Sequence, residues 1–105
     1  EQLDIVEILK KKDIFALTVN GDSMVDAFIA DGDMVLMEPI KELSSLKNGT
    51  IVSALVPGSG TTLKYFFRKG REVILEAANP SYEPIRLDLD QVVFQGKLLA
   101  VWRKV

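Results

Sequence analysis

The chain has 105 residues, 48% of them hydrophobic, which suits one domain with a buried core and no covalent staples. It contains no cysteine and no histidine, which excludes disulfides, zinc–thiolate sites, cysteine nucleophiles and every Ser-His-Asp arrangement. With 13 Lys/Arg against 15 Asp/Glu the net charge is −2, so no broad electrostatic attraction to nucleic acid or to an anionic membrane is expected.

No run of about 18 apolar residues is present to span a membrane, and the N-terminal stretch lacks a signal-peptide core. Together with the missing cysteines, this makes a cytoplasmic location the expectation. The sequence starts at Glu1 without methionine, which suggests a processed or excised piece of a longer protein.

In residues 1–12, "LDIVEILKKK" fits either a short helix or a strand entering a helical turn, with Lys10, Lys11 and Lys12 as a solvated face answered by Glu7 and Asp13. From Ile14 onward the apolar residues alternate with period two or form short runs bounded by turn residues. The expected fold is mostly β, a compact single domain of twisted antiparallel sheets with one or two short helical turns. A strand over 14–19 places Phe15, Leu17 and Val19 on one face. "SMVDAFIAD" is the stretch suited to a helical turn, with Ser23 at or near its N-cap. Met34 to Met37 form a short strand ending at Glu38-Pro39. Lys47-Asn48-Gly49 signals a turn into a strand over 50–56, and Pro57-Gly58-Ser59-Gly60 closes a hairpin with a strand over 61–68. Lys69-Gly70 turns into a strand over 72–77, which Asn79-Pro80-Ser81 breaks. Ile85, Leu87 and Leu89 alternate with Arg86 and Asp88. The last segment, 92–102, is apolar enough for a central or partner-covered strand, interrupted at Gly96 by a bulge or bend.

Without histidine or cysteine, a metal would need clustered carboxylates. Asp22, Asp26, Asp31 and Asp33 are dense, but they lack calcium-loop spacing, and turn or capping roles explain them; no metal and no cofactor is expected. Serine and lysine remain. A serine attacks a carbonyl only if a base takes its proton, and lysine serves near neutral pH only if burial brings its pKa from about 10.4 to near 7 or 8. Such a lysine belongs on a strand among apolar side chains. Lys64 in "TTLKYFFRK" fits, on the face of Thr62 and Phe66, although pattern alone favours a lysine on the wet face of a one-sided sheet. Ser23 likewise has two readings: a cap in a Gly-Asp-Ser turn, or a nucleophile at a strand-to-helix junction where adjacent N–H groups point outward.

The ordered set "LTVNGDSM", "IADGDMVLM", "NGTIVSALV", "TTLKYFF", "VILEAANPSYEPI" and "VVFQGKLLAVWRKV" resembles the C-terminal domain of LexA-type repressors, the family that includes the UmuD proteins and phage repressors. The likeness runs from about Ile14 to the C-terminus. It implies that residues 14–105 form a catalytic and dimerisation domain and that residues 1–13 follow a cleavage loop. By this resemblance Ser23 is the nucleophile of a self-cleaving serine–lysine peptidase, Lys64 its neutral general base, and the N–H groups of Asp22 and Ser23 the oxyanion hole. The resemblance further implies a homodimer paired through the C-terminal strand, with Val93, Leu98, Leu99, Val101 and Trp102 at the interface. It also implies a RecA filament as co-protease in the response to DNA damage, with DNA held by an N-terminal helix-turn-helix and not by this domain. The Ala-Gly cleavage dipeptide and the helix-turn-helix are absent from this chain, as they would be if Glu1 lies beyond the cleavage loop. Phe28 is bulkier than expected before Asp31-Gly32-Asp33. A non-catalytic dimerisation module with a vestigial site is the alternative.

Overall fold

The computed structural model describes Lys10 and residues 13–104; the readings of residues 1–9, 11 and 12, the lysine run included, lie outside the described residues. Seven strands are laid down where turn residues permit the chain to reverse: β1 (Phe15–Thr18), β2 (Met34–Pro39), β3 (Ile51–Val56), β4 (Gly60–Lys69), β5 (Glu72–Glu76), β6 (Ile85–Asp88) and β7 (Val93–Trp102). Gly58, Gly60 and Gly70 adopt positive φ at the β3–β4 and β4–β5 reversals, a backbone region that a side chain resists. All the pairings are antiparallel, in the order β1-β2-β7-β3-β4-β5-β6. The helical content among the described elements is three short 3₁₀ turns, at Val25–Ala27, Leu43–Ser45 and Leu89–Gln91. The chain is thus mostly β, a single domain built on one curled sheet. Among the described residues no helix is long and apolar enough to cross a membrane.

Two apolar clusters hold the sheet in shape. One gathers Val52, Ala54, Val56, Phe66, Val73, Leu75 and Val92, and Phe94 meets Phe66 edge-on at 5.2 Å between ring centroids. The other gathers Met24, Ile29, Val35, Met37 and Ala78, with Ile51, Leu63 and Tyr65 packed against it. Consecutive residues of β3 and β4 therefore contribute to different clusters, so both faces of this hairpin are covered. A wet face for Lys64, which pattern alone favoured, does not exist: Lys64 stands opposite Val52 and is 7% exposed.

The long strand β7 is central and changes partner along its length. It ladders with β3 from Val93 to Lys97 and with β2 from Gly96 to Trp102. The register slips at Gln95 against β3 and at Leu99 against β2, each left without an opposite residue, so the expected irregularity is a pair of bulges flanking Gly96. Gly96 has its own reason: a Cβ there would lie 2.7 Å from the Phe15 ring. The sequence alternation placed Leu89 on a strand, but β6 stops at Asp88. Asp88 accepts from the Asp90 amide while Gln91 accepts from the Asp88 amide, a capping box that starts a 3₁₀ turn.

Candidate active site

Ser23 sits in the excursion between β1 and β2. The excursion is closed at its base by Val19 and Asp33, with Val19 N–H donating to Asp33 O at 2.8 Å and Gly32 N–H to Val19 O at 2.8 Å. Met24, the next residue, and Ile29 are fully buried in the second cluster, so the loop is anchored immediately beside the serine. The 3₁₀ turn that follows has Met24 at its N-cap and no side-chain cap, which removes capping as the occupation of the Ser23 hydroxyl.

The hydroxyl faces Lys64 instead. Across 41 positions of sequence, Lys64 Nζ lies 3.1 Å from Ser23 Oγ. Its other partners are Thr62 Oγ1 at 2.5 Å and the Leu63 carbonyl at 3.2 Å. This set suits both protonation states. An ammonium donates to all three oxygens; an amine donates to Thr62 and Leu63 and turns its lone pair to the Ser23 hydroxyl. None of the ion pairs formed by the described residues involves Lys64. Burial without a counter-ion pushes the Lys64 pKa down from its usual 10.5, the direction that frees the lone pair.

Beside the pair runs a cleft of about 640 Å³, walled by Val19 and Asn20 after β1, by Thr61 and Thr62 on β4, and by Tyr82 and Glu83. Among the described residues, the Ser23 amide donates to no other group of the chain. The segment after β5 braces this loop: Asn79 Nδ2 donates to Asp22 O at 3.0 Å, Tyr82 O–H to Asp22 Oδ1 at 2.5 Å, and Asp26 N–H to Ala78 O at 2.8 Å. The hydrogen bond to Asp22 raises the Tyr82 pKa, holding it a neutral phenol.

Three of the four loop aspartates accept hydrogen bonds from the protein itself. Asp31 Oδ1 accepts from Gly21 N–H at 2.7 Å, and Asp33 Oδ2 accepts from Ala30 N–H at 2.8 Å. Asp33, 3% exposed, also takes two bonds from Arg103, which hold its pKa down at about 2. Phe28 points into solvent at 85% exposure with φ of 61°, so its bulk meets no packing; its carbonyl accepts from Arg103 Nη2 at 2.9 Å.

The five apolar residues named on the C-terminal strand do not share one surface. Val93, Val101 and Trp102 are exposed; Leu99 is half-buried at a bulge; Leu98, opposite the fully buried Met37, packs into the second cluster. Trp102 stands opposite exposed Met34, and Ala100 opposite Leu36, a patch whose β2 half sequence reasoning missed. It also missed Asn79, Tyr82 and Arg103 around the serine loop. Thr62 alone had a local signal, two residues before Lys64 on the same strand face.

Residues 2–99 match the family described as Peptidase S24-like. Among curated relatives, the LexA repressor of Zymomonas mobilis is 44% identical over 90 residues, 86% of this chain and 40% of that protein. The LexA repressor of a Ruegeria species is 51% identical over 89 residues, 85% of this chain and 36% of that protein. The LexA repressor of Koribacter versatilis is 40% identical over 104 residues, 99% of this chain and 48% of that protein. The chain thus spans less than half the length of each of these relatives.

Proposed function

This chain belongs to the Peptidase S24-like family, and with it to the serine peptidases; on that premise we propose that it is the self-cleaving half of a LexA-like repressor, cutting its own upstream linker with a Ser23–Lys64 pair. The observation that carries this reading is the 3.1 Å approach of Lys64 Nζ to Ser23 Oγ, made by a buried lysine with no carboxylate beside it. In the proposed reaction the Lys64 amine takes the hydroxyl proton as Ser23 Oγ bonds to the scissile carbonyl carbon. The oxyanion is held by the Asp22 and Ser23 N–H groups. Lys64 then returns the proton to the leaving amine, and a water deprotonated by the same amine releases the acyl group. Tethering makes a weak base sufficient, because a linked substrate reaches a high effective concentration in the cleft.

In this reading residues 14–105 are the catalytic and dimerisation domain and residues 1–13 follow the cleavage loop. The repressor acts inside the cell, its DNA contacts are made by a separate helix-turn-helix, and a RecA filament promotes the cut after DNA damage. Dimerisation is supported by the exposed Met34–Trp102 patch and by β7, which from Leu98 to Trp102 ladders only with β2 among the described residues. The test is a longer polypeptide carrying this domain behind its upstream linker. It cuts itself faster as pH rises, and Ser23→Ala and Lys64→Ala abolish the cut; cleavage persisting in either variant would overturn the assignment.

A further inference from the structure

We infer that Asn79 is a positioning residue for the reaction, its side-chain amide setting the plane of the Asp22–Ser23 peptide so that the Ser23 N–H stays available to an oxyanion. The inference rests on the serine–lysine reading and deepens it. A peptide unit is planar and, here, trans, so the Asp22 carbonyl and the Ser23 N–H point in opposite directions. Whatever holds the carbonyl thereby aims the N–H. Asn79 Nδ2 holds it at 3.0 Å, whereas the local bond from Val25 N–H is longer, at 3.3 Å.

Asn79 is itself fixed. Its Oδ1 accepts from Ser81 N–H at 2.9 Å, which decides which end of the amide faces Asp22 and places the donor there. Around it, Ala78 O receives Asp26 N–H and Tyr82 O–H reaches the Asp22 carboxylate, so the brace spans both sides of the serine. The Ser23 N–H, on the opposite side of the same peptide, donates to nothing among the described residues, and Ser23 lines the cleft. Without Asn79 the Asp22 carbonyl keeps only the longer bond from Val25 N–H, and a peptide that rotates away from it presents its carbonyl where the N–H belongs, repelling the developing negative charge.

The test compares Asn79→Ala and Asn79→Asp in the longer self-cleaving polypeptide. Asp keeps an acceptor for the Ser81 amide but has no hydrogen for the Asp22 carbonyl. Both variants are expected to lose about 10- to 100-fold in the plateau rate of self-cleavage, less than the roughly 100- to 1000-fold lost when an oxyanion donor is removed outright, because the donor here is misaimed rather than deleted. In Asn79→Ala the midpoint of the pH–rate profile stays where it is, since Lys64 keeps its three partners, and the Ser23 amide resonance shifts in the NMR spectrum of this chain. Unchanged rates in both variants, with Ser23→Ala and Lys64→Ala still inactive, overturn the inference alone. A rate loss that disappears at lower temperature as the folded fraction recovers assigns Asn79 a structural role and overturns it too. Cleavage by Ser23→Ala or Lys64→Ala defeats the underlying reading instead.

Discussion

Arg103, beyond the end of β7, grips the carboxylate of Asp33 in the serine loop, with Nε donating to Oδ1 at 2.8 Å and Nη2 to Oδ2 at 2.6 Å. The same guanidinium reaches Phe28 O, so Arg103 ties together two points of the segment that follows Ser23, Phe28 and Asp33. The carboxylate is buried while the arginine side chain is 55% exposed, so the pair is a surface cation closing over an interior anion. Arg103→Met leaves that anion with the Ala30 amide as its remaining donor. With the Asp33 pKa held at about 2 against a usual 3.8, its stabilisation is fully present above about pH 4 and lost as pH falls through 2. The variant should melt several degrees lower at neutral pH and begin acid unfolding at a higher pH than the parent. Thermal melts from neutral pH downward check this; superimposable acid profiles would refute the coupling.

Leu98 and Trp102 separate two roles that the strand's apolar run merges. Leu98→Ala should lower the unfolding free energy by about 2 kcal/mol, because its side chain fills the second cluster. Trp102→Glu should leave the urea midpoint nearly unchanged but weaken self-association at least about tenfold, a charge being set among apolar partners. Sedimentation and urea titration distinguish them. Equal effects of both variants on association would mean that the patch around Met34 and Trp102 is not the contact surface.

What the sequence discloses and what it hides divide by distance along the chain. The β3–β4 and β4–β5 hairpins were legible because glycine and proline mark their turns within a few residues. Lys64 stood out because period two puts it in register with Thr62 and Phe66. Its burial was not legible, since covering both faces of a hairpin depends on the curl of the whole sheet. The braces of the serine loop join residues 57 and 70 positions apart, Asn79 to Asp22 and Arg103 to Asp33, and no local pattern encodes them. In β7 the bulges at Gln95 and Leu99 break the alternation, so the apolar residues that the resemblance assigned together to the pairing strand fall on different faces, Leu98 toward the core and Trp102 outward.

Thr62→Val removes an oxygen that accepts from Lys64 Nζ at 2.5 Å while keeping nearly the same shape. That oxygen favours the ammonium over the amine, so its loss should move the midpoint of the pH–rate profile to lower pH. The amine also loses a restraint on its direction toward Ser23, and the plateau rate should drop about tenfold. Thr62→Ser should restore both. A midpoint moving upward in the valine variant would show that Thr62 does not favour the charged form.

Lys64→Met tests the cost of burying the lysine directly, since methionine retains an unbranched stem without the charge. Burial lowers the folded-state pKa below the unfolded value of 10.5, so the folded protein binds fewer protons than the unfolded chain between those two pH values. In the parent, the burden of the buried ammonium is therefore greatest below the folded pKa. It shrinks as pH rises, and it vanishes once both states are deprotonated, above about pH 10.5. The variant should be the more stable protein at neutral pH and lose that advantage progressively on alkalinisation, while self-cleavage is abolished throughout. Urea midpoints of parent and variant across the neutral to alkaline range measure the difference. A stability gap independent of pH would mean that Lys64 titrates alike in the folded and unfolded chain and is not held toward its neutral form.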